Sequence, residues 1–223
     1  MTRMKLSEIK QILGGDVSKG NTKMPGTTFG LSVYGCARGG KLRDKKGSVC
    51  EGCYAKRLED LRPSVHTGWT NRLDAVRRAI RTVDGRDLWV DAMVQRLEMM
   101  GPDHHRWHDS GDLQGLDHLI MIVRVAKRLP NIKFWLPTRE RGMVQRFLAV
   151  WKCPPNLVIR VSADMVGACL DIDGLNTSMV YDAKNDDPSD IAWICPARHQ
   201  GNSCGDCRAC WDPGVSLVAY PKH

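Results

Sequence analysis

Cysteines constrain this chain more than any other feature, because seven of its nine fall into two tight groups. The first set is Cys36, Cys50 and Cys53, and the second set is Cys195, Cys204, Cys207 and Cys210. A reducing cytoplasm keeps thiols free, so a disulfide framework is not expected there, and such groups are typical of metal ligands. The other two, Cys153 and Cys169, stand alone beside apolar residues and are expected to be small buried hydrophobes. The pattern therefore predicts a metal-binding protein with two sites.

The spacing of the two sets favours iron–sulfur clusters over zinc. The first set reads Cys-x13-Cys-x2-Cys and the second reads Cys-x8-Cys-x2-Cys-x2-Cys. Two intervening residues let neighbouring thiolates reach one centre, and the second set is similar to the binding run of bacterial ferredoxins. Structural zinc takes four protein ligands, whereas the first set supplies three and would leave one iron of a four-iron cluster open. We expect a [4Fe-4S] cluster at each set, with zinc as the alternative metal.

Histidine could supply the fourth ligand that a zinc ion at the first set would need. The candidates are His104, His105, His108 and His118. In a strand, His104 and His105 point to opposite faces, and no His-x3-His pair lies on a predicted helix. The histidines therefore leave zinc open as an alternative without favouring it.

The apolar pattern predicts an α/β protein of parallel βα units, either an open sheet or a barrel. Helices are predicted over residues 6–13, 116–129 and 141–151, and Leu88, Met93, Leu97 and Met100 would share the apolar face of a further helix. Strands are predicted over residues 30–34, 105–108, 132–136, 156–161 and 178–181, with a basic loop over 37–49.

Three successive predicted strands end in short polar clusters. The clusters are Asp109-Ser110-Gly111-Asp112, Thr138-Arg139-Glu140, and Ser162 with Asp164. Ligand sites in parallel α/β proteins lie at the carboxyl ends of the strands, so these residues are candidates for one site. Helix capping is the structural alternative for Asp112 and Asp164, although capping accounts for one polar residue at each junction and not for two or three.

Charge and hydropathy suggest a partner and a compartment. The net charge of +8 suits a polyanion, and a basic segment over residues 37–57 could contact nucleic acid, although such a run is also typical of a solvated surface. The apolar run 119–126 is interrupted by an arginine and is too short to span a bilayer. The first ten residues lack the features of a signal peptide, so we expect a cytoplasmic location.

Several segments together resemble a known group of proteins. They are Gly35-Cys36, Cys53-Tyr54-Ala55, residues 106–112, 136–139 and 161–164, and Cys195-Pro196-Ala197 with the cysteines that follow. This combination resembles the divergent radical S-adenosylmethionine (radical SAM) proteins encoded by bacteriophages, over roughly residues 28–212. The gap between the first two cysteines is longer than in the superfamily pattern, and Gly52 stands where an aromatic residue usually precedes the last cysteine.

The resemblance implies a partial (β/α) TIM-like barrel and an enzyme of the cytoplasm of a phage-infected bacterial host. Its reactive [4Fe-4S] cluster would be held by the first set and would bind S-adenosylmethionine, which an electron cleaves to a 5′-deoxyadenosyl radical. An electron donor such as flavodoxin or ferredoxin would be a partner, and the second set would hold an auxiliary cluster. Cofactor contacts would come from Ser110, Gly111, Asp112, Thr138 and Ser162, and catalytic contacts from Asp112, Arg139, His108 and Asp109.

Three segments are expected: an N-terminal polar segment over 1–27, the barrel over 28–190 and a cysteine-rich C-terminal segment over 191–223. The substrate would be unassigned, with a nucleotide or nucleic acid as one class. The alternative function is a non-catalytic nucleic-acid-binding protein stabilised by iron–sulfur clusters or zinc. An iron left open at the first set would favour the enzyme, and a fourth protein ligand there would favour the binding protein.

Overall fold

The computed structural model describes residues 3–20 and 23–222. Residues 1–2 and 21–22 of the expected polar segment, and residue 223 of the expected C-terminal segment, lie outside the described residues. The helices are α1 (Leu6–Leu13), α2 (Ala37–Leu42), α3 (Tyr54–Leu61), α4 (Pro63–Ala79), α5 (Val83–Met100), α6 (Leu116–Arg128) and α7 (Arg141–Leu148). The strands are β1 (Thr27–Phe29), β2 (His104–Trp107), β3 (Lys133–Thr138), β4 (Leu157–Ser162), β5 (Asn176–Tyr181), β6 (Trp193–Ile194) and β7 (Leu217–Pro221).

The strands form one parallel sheet of seven, in the order β1-β2-β3-β4-β5-β7-β6. The predicted α/β class is therefore confirmed. The first five strands are adjacent in the order of the chain. Helices α2 to α5 lie between β1 and β2, α6 lies between β2 and β3, and α7 lies between β3 and β4. β7 pairs with β5, and β6 lies at the edge, so the C-terminal cysteine-rich region contributes two strands to the same sheet.

Alternation along the strands divides the sheet into two different faces. On one face, Phe29, Trp107 and Phe134 join a hydrophobic core with buried side chains of α1, α4, α5, α6 and α7. The intervening residues, such as Arg106 and Trp135, point to the other face, and these two are partners in the register of β2 and β3. Helices cover the first face, and the segment between β6 and β7 packs on the second face, where Trp211 Nε1 donates a hydrogen bond of 3.1 Å to the His105 carbonyl.

The predicted helix over 6–13 is confirmed as α1. The strands and helices predicted after residue 104 are also present, as β2 to β5, α6 and α7, with boundaries that differ from the prediction by up to three residues. The strand predicted over 30–34 is wrong: β1 ends at Phe29, and Val33–Gly35 is a 3-10 turn. The chain turns away because the Leu31 amide bonds the Ser110 carbonyl at 2.8 Å instead of continuing the ladder with β2. The basic loop over 37–49 contains helix α2, and α3 is a helix that the sequence pattern did not predict. Leu88 is 46% exposed, so it does not share the buried face of α5 with Met93 and Leu97.

Among the described residues, no helix is both long enough and apolar enough to cross a membrane.

Candidate functional site

A cavity of about 460 Å³ opens on the face of the sheet opposite the helices, toward the carboxyl ends of the strands. Trp135 and Pro137 of β3, Ser162 of β4 and Ser178 of β5 line it. Its volume falls in the range of small-molecule sites. The three cysteines of the first set and most of the predicted site residues line it as well: Cys36, Cys50, Cys53, His108, Asp109, Ser110, Gly111, Asp112, Thr138, Arg139 and Ser162. Glu140 and Asp164, the other two predicted strand-end residues, are not among the lining residues. The structure therefore brings these predicted residues together, and their roles stay predictions.

The cysteines of the first set reach the cavity from three different pieces of chain. Cys36 lies directly before α2, Cys53 directly before α3, and Cys50 in the loop between these helices. A methyl group on Gly39 would lie 3.4 Å from Cys50 Sγ and 3.3 Å from Cys36 Cβ, so both cysteines pack against this glycine. The 13 residues between Cys36 and Cys50 thus form a loop that brings these two cysteines close together.

Buried Glu59 of α3 fixes the position of this helix relative to the turn that precedes Cys36. Its carboxylate accepts hydrogen bonds from the Ser32 hydroxyl at 2.6 Å and from the Val33 amide at 2.9 Å. Because α3 follows Cys53 directly, this contact holds two of the three cysteines in register. Charge-assisted hydrogen bonds of this kind are among the stronger ones in proteins.

The loop that carries Cys50 is tied to the segment that follows β4. The Val49 amide bonds the Asp164 carbonyl at 2.9 Å, and the Val166 amide bonds the Gly47 carbonyl at 3.0 Å. The Asp164 carboxylate forms an ion pair with Arg38 of α2. This ion pair gives Asp164 a structural role outside the cavity. These contacts place Cys50 beside the ends of β3 and β4.

Burial dominates the electrostatics of the thiols. It raises the pKa of Cys36 to about 12 and also raises the pKa of Cys50, although the guanidinium of Arg139 favours the Cys50 thiolate. Thiols with raised pKa values stay protonated at neutral pH unless a cation replaces the proton. Together with Cys53 on the same cavity wall, these two thiols are donors of the soft type that suits iron–sulfur clusters and zinc.

Asp112 holds the end of β3 in place. Its carboxylate accepts hydrogen bonds from the Thr138 hydroxyl at 2.6 Å, the Arg139 amide at 3.0 Å and the Leu113 amide at 2.8 Å. Burial raises the pKa of Asp112, and these three donors oppose that rise. The helix-capping alternative for Asp112 is wrong, since the residue before α6 is Gly115. Both carboxylate oxygens already have protein donors.

The loop after β2 packs tightly on the chain that leaves β1. The Ser110 hydroxyl donates to the Leu31 carbonyl at 2.9 Å. Gly111 has φ of 81°, and a Cβ there would lie 2.7 Å from Leu31 Cβ, so this position excludes larger residues. Asp109 accepts a hydrogen bond of 3.2 Å from Thr28 through Oδ2, and a methyl group on Gly30 would lie 2.4 Å from its Oδ1.

His108 combines backbone strain with an unsatisfied ring. Its φ is 54°, an uncommon value for a residue with a side chain. The ring is buried, and neither nitrogen has a hydrogen-bond partner among the described residues. Burial holds the pKa of His108 well below its ordinary value, so the imidazole is neutral. Strain and buried polar atoms of this kind cluster at functional sites.

The other three histidines lie away from the first cysteine set. His105 and His118 are fully buried in the helix-covered core, where burial lowers the pKa of each to about 3. His104 lies on the opposite face against Trp211, with ring centroids 5.3 Å apart. Of the four, His108 alone is among the residues that line the described cavity.

The second cysteine set lies between β6 and β7, outside the lining of the cavity. Burial raises the pKa of Cys195 and of Cys204, and raises that of Cys210 to about 11. The Cys210 thiol lies 3.1 Å from the hydroxyl of Tyr220, a residue that lines the cavity. Among the described residues, no group of three or more His, Cys, Asp or Glu side chains is arranged to hold a single metal ion. The metal assignment for Cys195, Cys204, Cys207 and Cys210 therefore stays a prediction, as it does for the first set.

The two lone cysteines differ from each other. Cys153 is partly buried and packs against the main core, in keeping with a small hydrophobe. Cys169 is exposed, so the expectation of burial is wrong for it. It lies in the irregular segment between β4 and β5, where the apolar neighbours in sequence form no regular element.

The sequence patterns did not predict a role for two arginines that point to the face of the sheet opposite the helices. Arg160 of β4 is fully buried, and its guanidinium donates to five backbone carbonyls, those of Thr177, Ala209, Asp212, Val215 and Ser216. Arg106 of β2 lies over the Trp135 ring, 4.6 Å from its centroid, and lines the cavity. The signal was visible in the sequence, because each arginine stands at an inward position of a predicted strand.

Comparison with known proteins places the chain in a family. The family model described as Gene product 88 matches residues 10–213. No curated protein and no solved structure matches the chain. The matched range contains both cysteine sets and most of the residues that line the cavity, and the chain belongs to the Gene product 88 family.

Proposed function

We propose that this protein is an iron–sulfur enzyme of the radical SAM type, with S-adenosylmethionine as cofactor and the cavity as its reaction site. The observation that carries the proposal is the meeting of Cys36, Cys50 and Cys53 with the polar ends of β2, β3 and β4 around one cavity. Cysteine sets that only stabilise a fold have no need of a cavity beside them. Ligand sites of parallel α/β proteins lie at this end of the sheet.

The donor set fits a four-iron cluster with one open iron. Three thiols are present on the cavity wall, and soft thiolates suit iron–sulfur clusters and zinc alike. Zinc at this site would require a fourth ligand, for which His108 is the nearest histidine candidate because it lines the same cavity. The second set, with four cysteines, would hold an auxiliary cluster.

The strand order supports a partial barrel as the scaffold. Five strands follow one another in chain order, and the core packs helices on one face alone of β1 to β4. Parallel strands with right-handed connections in that order place their helices on one side, and the sheet can then curl around the other. The cavity would be the interior of this partial barrel.

The chain's own residues would bind and orient the ligands of such a centre. Asp112 fixes the Thr138–Arg139 turn through two hydrogen bonds, so that the Arg139 guanidinium stays beside Cys50. Ser162, which accepts a hydrogen bond of 3.0 Å from Ser178, would offer its hydroxyl to the cofactor. His108, whose buried ring nitrogens have no partner among the described residues, would offer a neutral imidazole at the cavity wall. The chemistry supplied by the bound group would be one-electron cleavage of the sulfonium, with the electron coming from a flavodoxin or ferredoxin.

A second function rests on the surface next to the first cysteine set. Lys41, Lys45 and Lys46 are exposed on the segment 37–57, whereas Arg38 and Lys56 of that segment form ion pairs with carboxylates. Exposed lysines favour contact with nucleic acid phosphates. In this alternative, metal at either set would only stabilise a nucleic-acid-binding protein.

The test is anaerobic purification followed by iron, sulfide and zinc quantitation. Two four-iron clusters correspond to about eight irons per chain, and Cys50→Ser should reduce this to roughly four. Cys169→Ser, at the exposed lone cysteine, is the matched control and should leave the iron content unchanged. Electron paramagnetic resonance of the reduced protein should change when S-adenosylmethionine is added. Zinc in place of iron, or a spectrum insensitive to the cofactor, would refute the enzyme and leave the binding protein.

A further inference from the structure

The guanidinium of Arg106 lies on the cavity wall with few hydrogen-bond acceptors, although Tyr54 and Asp109 nearby outweigh the effect of burial and leave its pKa raised. Among the described residues, its side chain makes one hydrogen bond, from Nη1 to the Met24 sulfur at 3.7 Å. The Nε atom is inaccessible to solvent and has no partner among these residues. Burying a charged group is costly unless it is paired and hydrogen-bonded. Arg106 therefore has fewer hydrogen-bond acceptors than a buried guanidinium requires.

Arg160 shows how this fold satisfies a buried arginine when the role is structural. The two residues point to the same face of the sheet, in β2 and β4. Arg160 donates to five backbone carbonyls at 2.9–3.4 Å. Arg106 has one weak sulfur acceptor in the described part of the chain. The difference is that Arg106 faces a cavity, so its acceptor can come from a bound molecule.

The carboxylates of the cavity wall form no ion pair with Arg106 within the described ranges. Asp109 accepts from Thr28 through Oδ2, while its Oδ1 is buried without a hydrogen-bond partner among the residues described, and its charge raises the pKa of Arg106. Asp112 accepts hydrogen bonds from Leu113, Thr138 and Arg139. The lining contains four cationic side chains, Arg43, Arg106, Arg139 and Lys222, and three carboxylates, Glu51, Asp109 and Asp112. Its formal excess of one positive charge favours an anionic ligand.

Trp135 gives the guanidinium a fixed orientation. The ring lies under Arg106 at 4.6 Å from its centroid, and the two residues are register partners on adjacent strands. Stacking of this kind restrains the plane of the guanidinium and leaves its edge free to donate. An edge with two parallel donors matches the oxygens of a phosphate or a carboxylate.

We propose that Arg106, held on the face of Trp135, forms an anion-binding subsite that receives a phosphate or carboxylate group of a small-molecule ligand. The subsite goes beyond the radical SAM proposal. It does not depend on which metal the cysteines bind, because it is built from strand residues on the wall of the cavity. Two sources could supply the anion. One is a phosphate of the substrate, and the other is the carboxylate of an S-adenosyl amino acid.

The experiment measures binding to the anaerobically purified protein by isothermal titration calorimetry, with metal content determined on the same samples. The probes are inorganic phosphate, S-adenosylhomocysteine, and methylthioadenosine, which lacks the amino-acid carboxylate. Arg106→Met should weaken phosphate, S-adenosylhomocysteine or both at least tenfold and leave methylthioadenosine within twofold of the parent protein. Arg141→Met, at an exposed arginine of α7, is the matched control and should change nothing.

Loss of phosphate binding alone would assign the subsite to a substrate phosphate, and loss of S-adenosylhomocysteine binding alone to the amino-acid carboxylate. The proposal is overturned if Arg106→Met binds both anions as tightly as the parent, if methylthioadenosine binding falls equally, or if the parent binds neither anion at millimolar concentration. Should the methionine variant fail to fold, Arg106→Gln carries the same expectation. Because metal content is measured separately, failure of the iron–sulfur proposal would not be mistaken for failure of the anion subsite.

Discussion

Replacing Arg160 with methionine removes a buried cation that connects two distant parts of the chain. The guanidinium is fully buried in β4 and donates to the carbonyls of Ala209, directly before Cys210, and of Asp212 and Val215, which follow it. It therefore links the sheet to the segment that carries Cys210. Methionine has a similar length and keeps the apolar stem, so the variant isolates the loss of the charged donors.

The magnitude follows from the geometry of the donors. Three of the five distances, to Thr177, Ala209 and Val215, are 3.1 Å or shorter. A hydrogen bond to a charged group contributes about 1.5–3 kcal/mol, so these three represent roughly 5–9 kcal/mol in gross terms. Removal of the charge also removes a desolvation penalty of several kcal/mol. We expect Arg160→Met to lower the free energy of unfolding by about 3 kcal/mol.

Urea unfolding of the reduced protein under argon measures this loss, and the rate of Cys210 alkylation measures the local effect. The Arg160→Met variant should unfold at lower urea, and its Cys210 should react at least tenfold faster because the segment 209–216 loses its anchor. Arg141→Met, at an exposed position, should stay within about 0.5 kcal/mol of the parent. Unchanged stability together with unchanged Cys210 reactivity would refute the reasoning that Arg160 organises this segment.

Three further predictions concern other parts of the molecule. Gly111→Ala should lower the free energy of unfolding by about 1–3 kcal/mol, because φ is 81° and the added methyl group would collide with the chain after β1. Gly142→Ala, which has open space around it, should be neutral or stabilising by up to about 1 kcal/mol. Equal effects of the two variants in thermal unfolding would contradict this prediction. Burial lowers the pKa of His118 to about 3 from an ordinary 6.5. Between these values the unfolded chain binds a proton that the folded chain does not, so stability falls as pH falls from 6.5 toward 3, and His118→Asn should remove about 1.4 kcal/mol per pH unit of that slope in urea titrations at several pH values. An undiminished slope would show that the histidine is not buried as a neutral group. Glu59→Gln should lower the free energy of unfolding by about 2 kcal/mol in thermal unfolding and expose Cys36 to alkylation, because one of the two buried donors to Glu59 loses a charged acceptor. Asp87→Asn, at a surface ion pair, should lower it by less than about 1 kcal/mol. Similar losses of stability for the two variants would argue against a special role of Glu59.

Much of the sheet follows from local patterns in the sequence. Strands β3 and β4 are short, largely apolar runs, polar residues follow β2, β3 and β4, and the parallel arrangement then brings those ends to one edge. The strand-end residues Ser110, Thr138 and Ser162 accordingly line one cavity, as the sequence led us to expect. β1 was misplaced because its end is determined by the Leu31–Ser110 contact, which joins residues far apart in the chain.

The first cysteine set shows the boundary between local and tertiary information most clearly. Its spacing predicts that three thiols converge on one centre, and Cys36 and Cys50 both pack against Gly39. Among the described residues no group of three such side chains is arranged to hold a metal ion, so the convergence stays a prediction. What anchors the set, the Glu59 carboxylate and the pairing of the Cys50 loop with the segment after β4, could not be read from the spacing. Whether the set binds iron is a chemical prediction for the purified protein to test.

Local sequence patterns predicted four of the seven strands and the residue types available for chemistry: strands with polar ends, two cysteine sets and an excess of positive charge. Only the tertiary structure decided that the C-terminal region joins the same sheet, that Arg160 is satisfied by carbonyls and that Arg106 faces a cavity. The physical reason is that periodicity and spacing reflect interactions between near neighbours in the chain. The partner of a buried charge is set by packing between segments tens of residues apart, and these two arginines, each in an inward strand position, acquire different partners only when the chain has folded.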